Sequence, residues 1–427
     1  MERDVVKQKL KSLSIYKTDL SSLPLVYSVE MIKSCFVLFV FVGLIIDGIC
    51  SLNETCIPTS AGNSSIDDAP SIMEALANCG NGGRILIPEN KIFTIRSPVD
   101  FGNCKDCEFQ IEGTLKLSDD IEYWGGRIAC FSIENVIGMR IHSMTGQGLI
   151  DGSGQRFWDY HAEHPTYQRP FFIVMKNVAN ITFTNFKLKD SPRWFITVNQ
   201  SSIHVNLSNL ILSAISTSKN VPINTDGIDI AHSSLITITN IHITNNDDCV
   251  CFKTGANNVF VKNVTCVRSR GLSVGSLGLT PEYTDRVWNI YASDIKMINS
   301  TPGIRIKVYP GGPTHGNVIV SNVTFERITI DNCDYAFRVQ TCYETQEKIC
   351  QQTPSSAQIS NIKLISITGR TSHEFDPDVA NINCPPNGTC DLTFSEWNVT
   401  SPTYNSTVLC SNYQHPQGVT CTPGAFG

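Results

Sequence analysis

The sequence predicts an all-β fold, and more narrowly a right-handed parallel β-helix closed at its amino end by a short helix. Three observations lead there: short β-branched runs recur along the chain, an Asn or Asp stands near the end of each, and the interval between those polar residues varies through the twenties and thirties. From about residue 135 the runs read ITFTNFKL, IHVNLSNLIL, ITITNIHI, VFVKNVTCV, IYASDIKM, VIVSNVTF and ISNIKLIS. Their polar markers are Asn185, Asn209, Asn240, Asn263, Asp294, Asn322 and Asn361, separated by 24, 31, 23, 31, 28 and 39 residues. A period of this size and variability marks a solenoid whose insertions fall in turns on one face. The runs are too short for helices, so the repeat is a coil of strands with Val, Ile, Leu and Phe pointing inward. Asn suits the bends because it tolerates left-handed backbone angles and can hydrogen-bond from coil to coil. Asn263 and Asn322 head glycosylation sequons but belong to this ladder, and are expected to carry no glycan. A β-sandwich also uses short strands, yet hairpin dipeptides such as Asn-Gly rarely separate these runs.

The remaining elements follow along the chain. Residues 35–46 are an apolar run preceded by Met31 and Lys33 and followed by small residues from Gly48 to Ser51, the pattern of a signal peptide at 31–50. The run is shorter than the ~20 residues that a membrane anchor needs. Residues 1–30 lie upstream of that signal and lack a core pattern, so they read as an extension of the gene model, with Met31 as the true start. At 66–79, Asp67, Asp68 and Pro70 precede IMEALANC, a helix that would cap the open apolar end of the solenoid. Residues 51–427 then form a single β-helix domain.

Composition narrows the function. A net charge of -6 argues against non-specific nucleic-acid binding, so an acidic ligand would need a local basic site. Seventeen cysteines fit an oxidising compartment, and the fifteen left after the signal are an odd number, so at least one thiol is unpaired within the chain. The pairs Cys342/Cys350, Cys384/Cys390 and Cys410/Cys421 are spaced as loop staples, and sequons from Asn53 to Asn405 point to a glycoprotein. The expectation is a secreted monomer, with no membrane contact in its mature form.

Polar chemistry is concentrated in INTDGIDI (223–230), NNDDCVCFKTG (245–255) and GIRIKVYPG (303–311). These segments are one or two coils apart, so stacking at ~4.8 Å places Asp226, Asp247, Asp248, Arg305 and Lys307 on one face. Glycoside hydrolysis asks for one carboxylic acid to protonate a leaving oxygen and one carboxylate to activate water or attack the sugar. Adjacent Asp247 and Asp248 can both serve only at a bend or bulge. A third carboxylate raises the proton affinity of its neighbours. Arg305 and Lys307, two apart on a strand, face the same way and can hold a substrate carboxylate. Clustered aspartates also bind calcium, but no EF-hand spacing occurs, and neither a metal nor a cofactor is expected.

At these residues the chain resembles the polygalacturonase family, glycoside hydrolase family 28, from about residue 55 to the end. The resemblance rests on Asn224-Thr225-Asp226, Asp247-Asp248-Cys249 and Arg305-Ile306-Lys307 in the family's order, with GQGLIDGSGQRFWD (146–159), SVGSLG (273–278) and YAFRVQTCY (335–343). It implies inverting hydrolysis of α-1,4-linked galacturonate in pectin, with Asp247 as general acid, Asp226 and Asp248 positioning water, and Arg305, Lys307, Tyr343 and Asn224 at the substrate. It also implies a Cys249–Cys266 disulfide, although Cys251 on the same strand face leaves an alternative partner open. Ser269-Arg270-Gly271 departs from the family's Gly-His-Gly. Arg270 would either favour ionised carboxylates and weaken the acid, leaving a feeble enzyme or a pectin binder, or add a substrate contact. The stretches RPFFI, DDCVCFKTG and RIKVYPG look most like the exo-acting branch, the alternatives being endo action and rhamnogalacturonan or xylogalacturonan hydrolysis. Pectate lyases share the β-helix, but the three motifs speak for hydrolysis.

Overall fold

A short strand needs backbone partners on both sides, and a repeating coil supplies them from the coils above and below. The computed structural model describes residues 54–427. The expected extension at 1–30 and signal at 31–50 lie outside those residues. Strands pair in parallel from Thr55–Cys56 at one end to Cys421–Pro423 at the other, the right-handed parallel β-helix that the repeats predict. Right-handed crossovers are the rule for parallel strands of one sheet.

Two strand networks enclose the core. One has 18 strands, and the other is a sheet of 12 strands whose order follows the chain from Val99–Asp100 to Cys421–Pro423. Inward columns of the second sheet run Ile173, Ile196, Ile228, Val250, Leu272, Ile304, Phe337 and Met175, Val198, Ile230, Phe252, Val274, Ile306, Val339, all buried. Each such side chain contributes roughly 1.5–3 kcal/mol when removed from water, and several per coil, such as Ile228, Ile230, Ile236, Ile238, Ile241 and Ile243, hold the stack together.

The capping helix spans Ala69–Cys79, three residues shorter at its start than the predicted 66–79. Asp67 and Asp68 stay outside it because their carboxylates accept backbone N–H groups, Asp67 from Ala69 at 3.1 Å and Asp68 from Thr94 at 2.8 Å. The helix buries Ile72, Ala75 and Leu76 against the first strands and is tied to them by Cys56–Cys79.

The polar markers form two ladders, where the sequence suggested one. Asn209, Asn240 and Asn263 are linked amide to amide at 3.2 and 2.8 Å, and the same column passes through Asp294 to Arg327. Asn258, Asn289, Asn322 and Asn361 form the second, at 3.1, 2.7 and 3.1 Å. All of these residues have positive φ. Each coil bends at both places and Asn suits both, so the step of 28 from Asp294 to Asn322 crosses from one column to the other.

Among the described residues six disulfides occur: Cys56–Cys79, Cys104–Cys107, Cys249–Cys266, Cys342–Cys350, Cys384–Cys390 and Cys410–Cys421. Cys130, Cys251 and Cys333 are free and buried, so the odd count leaves three thiols unpaired. Among the described residues no helix is long and apolar enough to cross a membrane.

The Asn263 and Asn322 amide nitrogens both donate along the ladders, and a glycan would replace that N–H donor geometry. Glycopeptide mass spectrometry of the native product is expected to find both sites unmodified; occupancy at either would mean that its ladder is open.

Candidate active site

Outward positions of the twelve-stranded sheet form a polar floor. One column runs Thr197, Asp229, Cys251, Ser273, Arg305 and Arg338. A second stands just before the strands: the N–H of Phe172 donates to the Trp194 carbonyl at 3.0 Å, Phe195 to Asp226 at 2.8 Å and Gly227 to Asp248 at 2.9 Å. Trp194, Asp226 and Asp248 therefore lie on successive coils. Asp247 and Asp248 occupy a bend ahead of strand Val250–Phe252, which lets adjacent residues serve one site. Asn245 fixes the bend by donating to the Thr225 and Asp248 carbonyls, both at 2.8 Å. Cys249–Cys266 anchors it from behind, leaving Cys251 as a free thiol that donates to the Gly275 carbonyl at 2.8 Å.

The structure brings Asp226, Asp247 and Asp248 together, with one oxygen of each within 4.8 Å of the others. Their exposures are 4%, 8% and 1%, which makes Asp247 the most accessible to a ligand. The charges around them differ. Asp248 accepts from the Ser273 hydroxyl at 2.7 Å, from Lys307 at 2.7 Å and from the Arg305 guanidinium, whose Nε also donates to Ser273 at 2.9 Å. Burial alone would raise its proton affinity, but Arg305 and Lys307 reverse that and hold Asp248 ionised, far below the usual carboxylate range. Asp226 has an oxygen without a partner. Burial, then the fields of Asp229, Asp247 and Asp248, push its proton affinity well above the ordinary value. Both oxygens of Asp248 already face cations, so the cluster is poorly suited to gripping a metal ion.

Arg305 and Lys307 reach the site as predicted, but both are buried and serve first as counterions of Asp248. Tyr343 stands half-buried with Lys307 5.4 Å from its ring centre, and burial pushes its phenol up. Asn224, with positive φ, donates to Asp247 at 3.4 Å and accepts from Arg169 at 2.9 Å. Arg270 binds the Asp247 carbonyl through its backbone N–H at 2.8 Å, while its side chain is exposed. Among the described residues that side chain makes no ion pair, so it does not clamp any of the three carboxylates. A cavity of about 1390 Å³ lies elsewhere, lined by residues such as Asn90, Arg96, Asp151 and Lys189, and includes none of the three carboxylates.

Sequence reasoning missed Asp229 and Lys253. Asp229 is buried on the groove floor, with Lys253 3.5 Å away. Burial raises its pKa to about 6, opposed by Lys253. Its signal was present: it lies three residues beyond Asp226, outward between the inward Ile228 and Ile230.

The model of glycosyl hydrolases family 28 matches residues 80–421, the span that holds the carboxylate cluster, its two cations and the coils that align them. The chain belongs to glycoside hydrolase family 28. Within the family it is 45% identical over 372 residues to endo-xylogalacturonan hydrolase A of Aspergillus tubingensis, covering 87% of this chain and 91% of that one. A crystal structure of the endo-xylogalacturonan hydrolase from Aspergillus tubingensis superposes with a TM-score of 0.86 at 44% identity, covering 88% of this chain and all of that one. The exopolygalacturonase of Thermotoga maritima shares the fold alone, at TM-score 0.64 and 17% identity over 84% of this chain and 88% of that one. The family assignment makes the protein a pectin-degrading glycoside hydrolase.

The shifted groups set the pH dependence of stability. Asp226 and Asp229 have folded values above the unfolded ~3.9, so they bind protons in the native state and favour it less as pH rises above about 4, Asp229 losing its share through about 6. Asp248 acts oppositely: its stabilisation is present above ~3.9 and is lost as pH falls below. The thermal midpoint is expected to peak near about pH 4–5, and a midpoint still rising between pH 6 and 8 would contradict the assignments. Asp248→Asn leaves Arg305 and Lys307 buried without their counterion and should cost about 3–5 kcal/mol in denaturant unfolding.

Proposed function

We propose that this protein is an endo-acting hydrolase of xylogalacturonan, the xylose-bearing form of galacturonan, and that it acts outside the cell. The observation that carries the reading is the cluster of Asp226, Asp247 and Asp248 beside Arg305 and Lys307, in a chain 45% identical to an endo-xylogalacturonan hydrolase. The expectation of exo action from the RPFFI, DDCVCFKTG and RIKVYPG stretches gives way to this reading, because the similar full-length relatives bear the endo name. Six disulfides support an oxidising, extracellular setting.

In the proposed mechanism Asp247, the most accessible of the three, gives its proton to the glycosidic oxygen as the bond to the anomeric carbon breaks. Water attacks that carbon from the opposite face. In the reacting form the cluster's proton is on Asp247 and Asp226 is ionised; Asp226 and Asp248 hold the water, and Asp226, which has the stronger pull on a proton, receives the one that water releases. The nearest oxygens of the three lie within 4.8 Å, closer than the ~6.5–9.5 Å between carboxyl groups usual in inverting enzymes. Water must therefore sit at the rim of the cluster, on Asp226 and Asp248, rather than between two separated groups. Arg270 offers an exposed guanidinium for a substrate carboxylate, and Tyr343 lines the same end of the groove as Lys307.

The test is to incubate the purified protein with xylogalacturonan and with polygalacturonate, follow viscosity, and resolve products by chromatography and proton NMR. A rapid fall in viscosity, a mixture of oligomers and a first-formed β-anomer are expected, with Asp247→Asn slower by about 10²–10⁴-fold. Release of single galacturonates with viscosity nearly unchanged would overturn the endo reading, and ultraviolet-absorbing unsaturated products would indicate a lyase.

A further inference from the structure

The groove floor carries more cations than the carboxylate cluster uses. Arg305 and Lys307 are engaged by Asp248, and Lys253 lies 3.5 Å from Asp229. Arg193 differs: among the described residues it forms no ion pair, and no hydrogen bond uses its guanidinium. Instead that group lies 4.6 Å from the ring centre of Phe171 and 5.1 Å from that of Trp194. The two rings are 4.7 Å apart at 39°, and Lys253 approaches the Trp194 ring at 4.9 Å. Phe171, Arg193 and Trp194 are all only half-buried, so rings and guanidinium together present a surface that is neither core nor fully in water.

The position of this platform gives it meaning. Trp194 occupies the coil next to Asp226 and Phe171 the coil before that, while Arg305, Lys307 and Tyr343 lie on the opposite, carboxyl-terminal side of the cluster. A polysaccharide threaded along the groove must cross the carboxylates and rest on both sides. Lys253, 3.5 Å from Asp229, stands against the Trp194 ring, and the fields of Asp226, Asp229 and Arg169 reach Arg193, which places the platform beside the carboxylate cluster. An aromatic face takes the apolar face of a pyranose, and a guanidinium held flat over rings keeps its N–H fork free for a carboxylate.

We propose that Phe171, Arg193 and Trp194 form a sugar subsite on the amino-terminal side of Asp226, where the rings carry one galacturonate of the backbone and Arg193 takes its carboxylate. This rests on the reading of the groove as a galacturonan cleft. The subsite selects for a free acid at that position, since a methyl ester offers Arg193 no charge.

Titration calorimetry with trigalacturonate and with its methyl ester tests the subsite. Arg193→Gln should weaken trigalacturonate about tenfold and leave the ester nearly unchanged. Arg193→Lys should recover part of the loss, and Trp194→Ala should weaken both ligands. On xylogalacturonan the Arg193→Gln loss should fall on KM with kcat kept. A guanidinium that only staples the rings would instead lower the thermal midpoint and affect acid and ester alike, and that result overturns the proposal. If wild type hydrolyses xylogalacturonan while Arg193→Gln binds both ligands as wild type does, the subsite falls and the enzymatic reading stands. If wild type cuts no galacturonan yet Arg193→Gln loses affinity for the acid alone, the subsite stands and the enzymatic reading falls.

Discussion

In-register stacking of parallel coils is the constraint on which the rest of this molecule depends. A coil repeats at about 4.8 Å, so residues far apart in sequence become neighbours if they hold the same place in their coils. Asp226 and Asp248 meet because the coil between them closes in register, and Arg305 reaches Asp248 from two coils further on, across Ser273, which is paired with Arg305 in the outward column and hydrogen-bonds both. The inward columns of Ile, Val and Leu fix the height of each coil, and the Asn ladders fix its rotation. The floor of the groove is thus an outcome of packing.

Burial on this floor divides chemically identical groups. Three aspartates stand within 4.8 Å, yet one is clamped by two cations and ionised, one is starved of partners and avid for a proton, and one faces the groove. Environment assigns the roles, as low dielectric and unequal pairing always do to neighbouring carboxylates. The clamp also limits Arg305 and Lys307: cations whose charge is already balanced recognise a substrate carboxylate less strongly than free ones. The unpaired guanidiniums of Arg193 and Arg270 have no such competitor.

Much of the fold was legible in the sequence because its signals are local: β-branched runs, Asn at bends, a proline-started helix. The cluster was legible too, since Asp226, Asp247, Asp248, Arg305 and Lys307 lie in short motifs. What could not be read depends on alignment between coils. The split of the polar markers into two ladders needed the register, because Asp294 and Asn322 look alike in sequence. Asp229, Lys253 and Trp194 gained significance only when their columns met. The first turn of the helix was misplaced because Asp67 and Asp68 stand just ahead of it: Asp68 is its N-cap residue with its carboxylate on the Thr94 N–H, and Asp67 accepts from Ala69 and Arg96. The choice between exo and endo action turns on loops around the groove, where periodicity carries no information.

The chain-ordered sheet has an evolutionary consequence. Because each coil adds one strand to the end of a series and never threads between others, duplication or loss of a coil away from the carboxylates lengthens or shortens the groove by one step and leaves the reacting centre intact. Such an architecture can change how many sugars it grips in whole-unit increments, independently of how it breaks the bond between them.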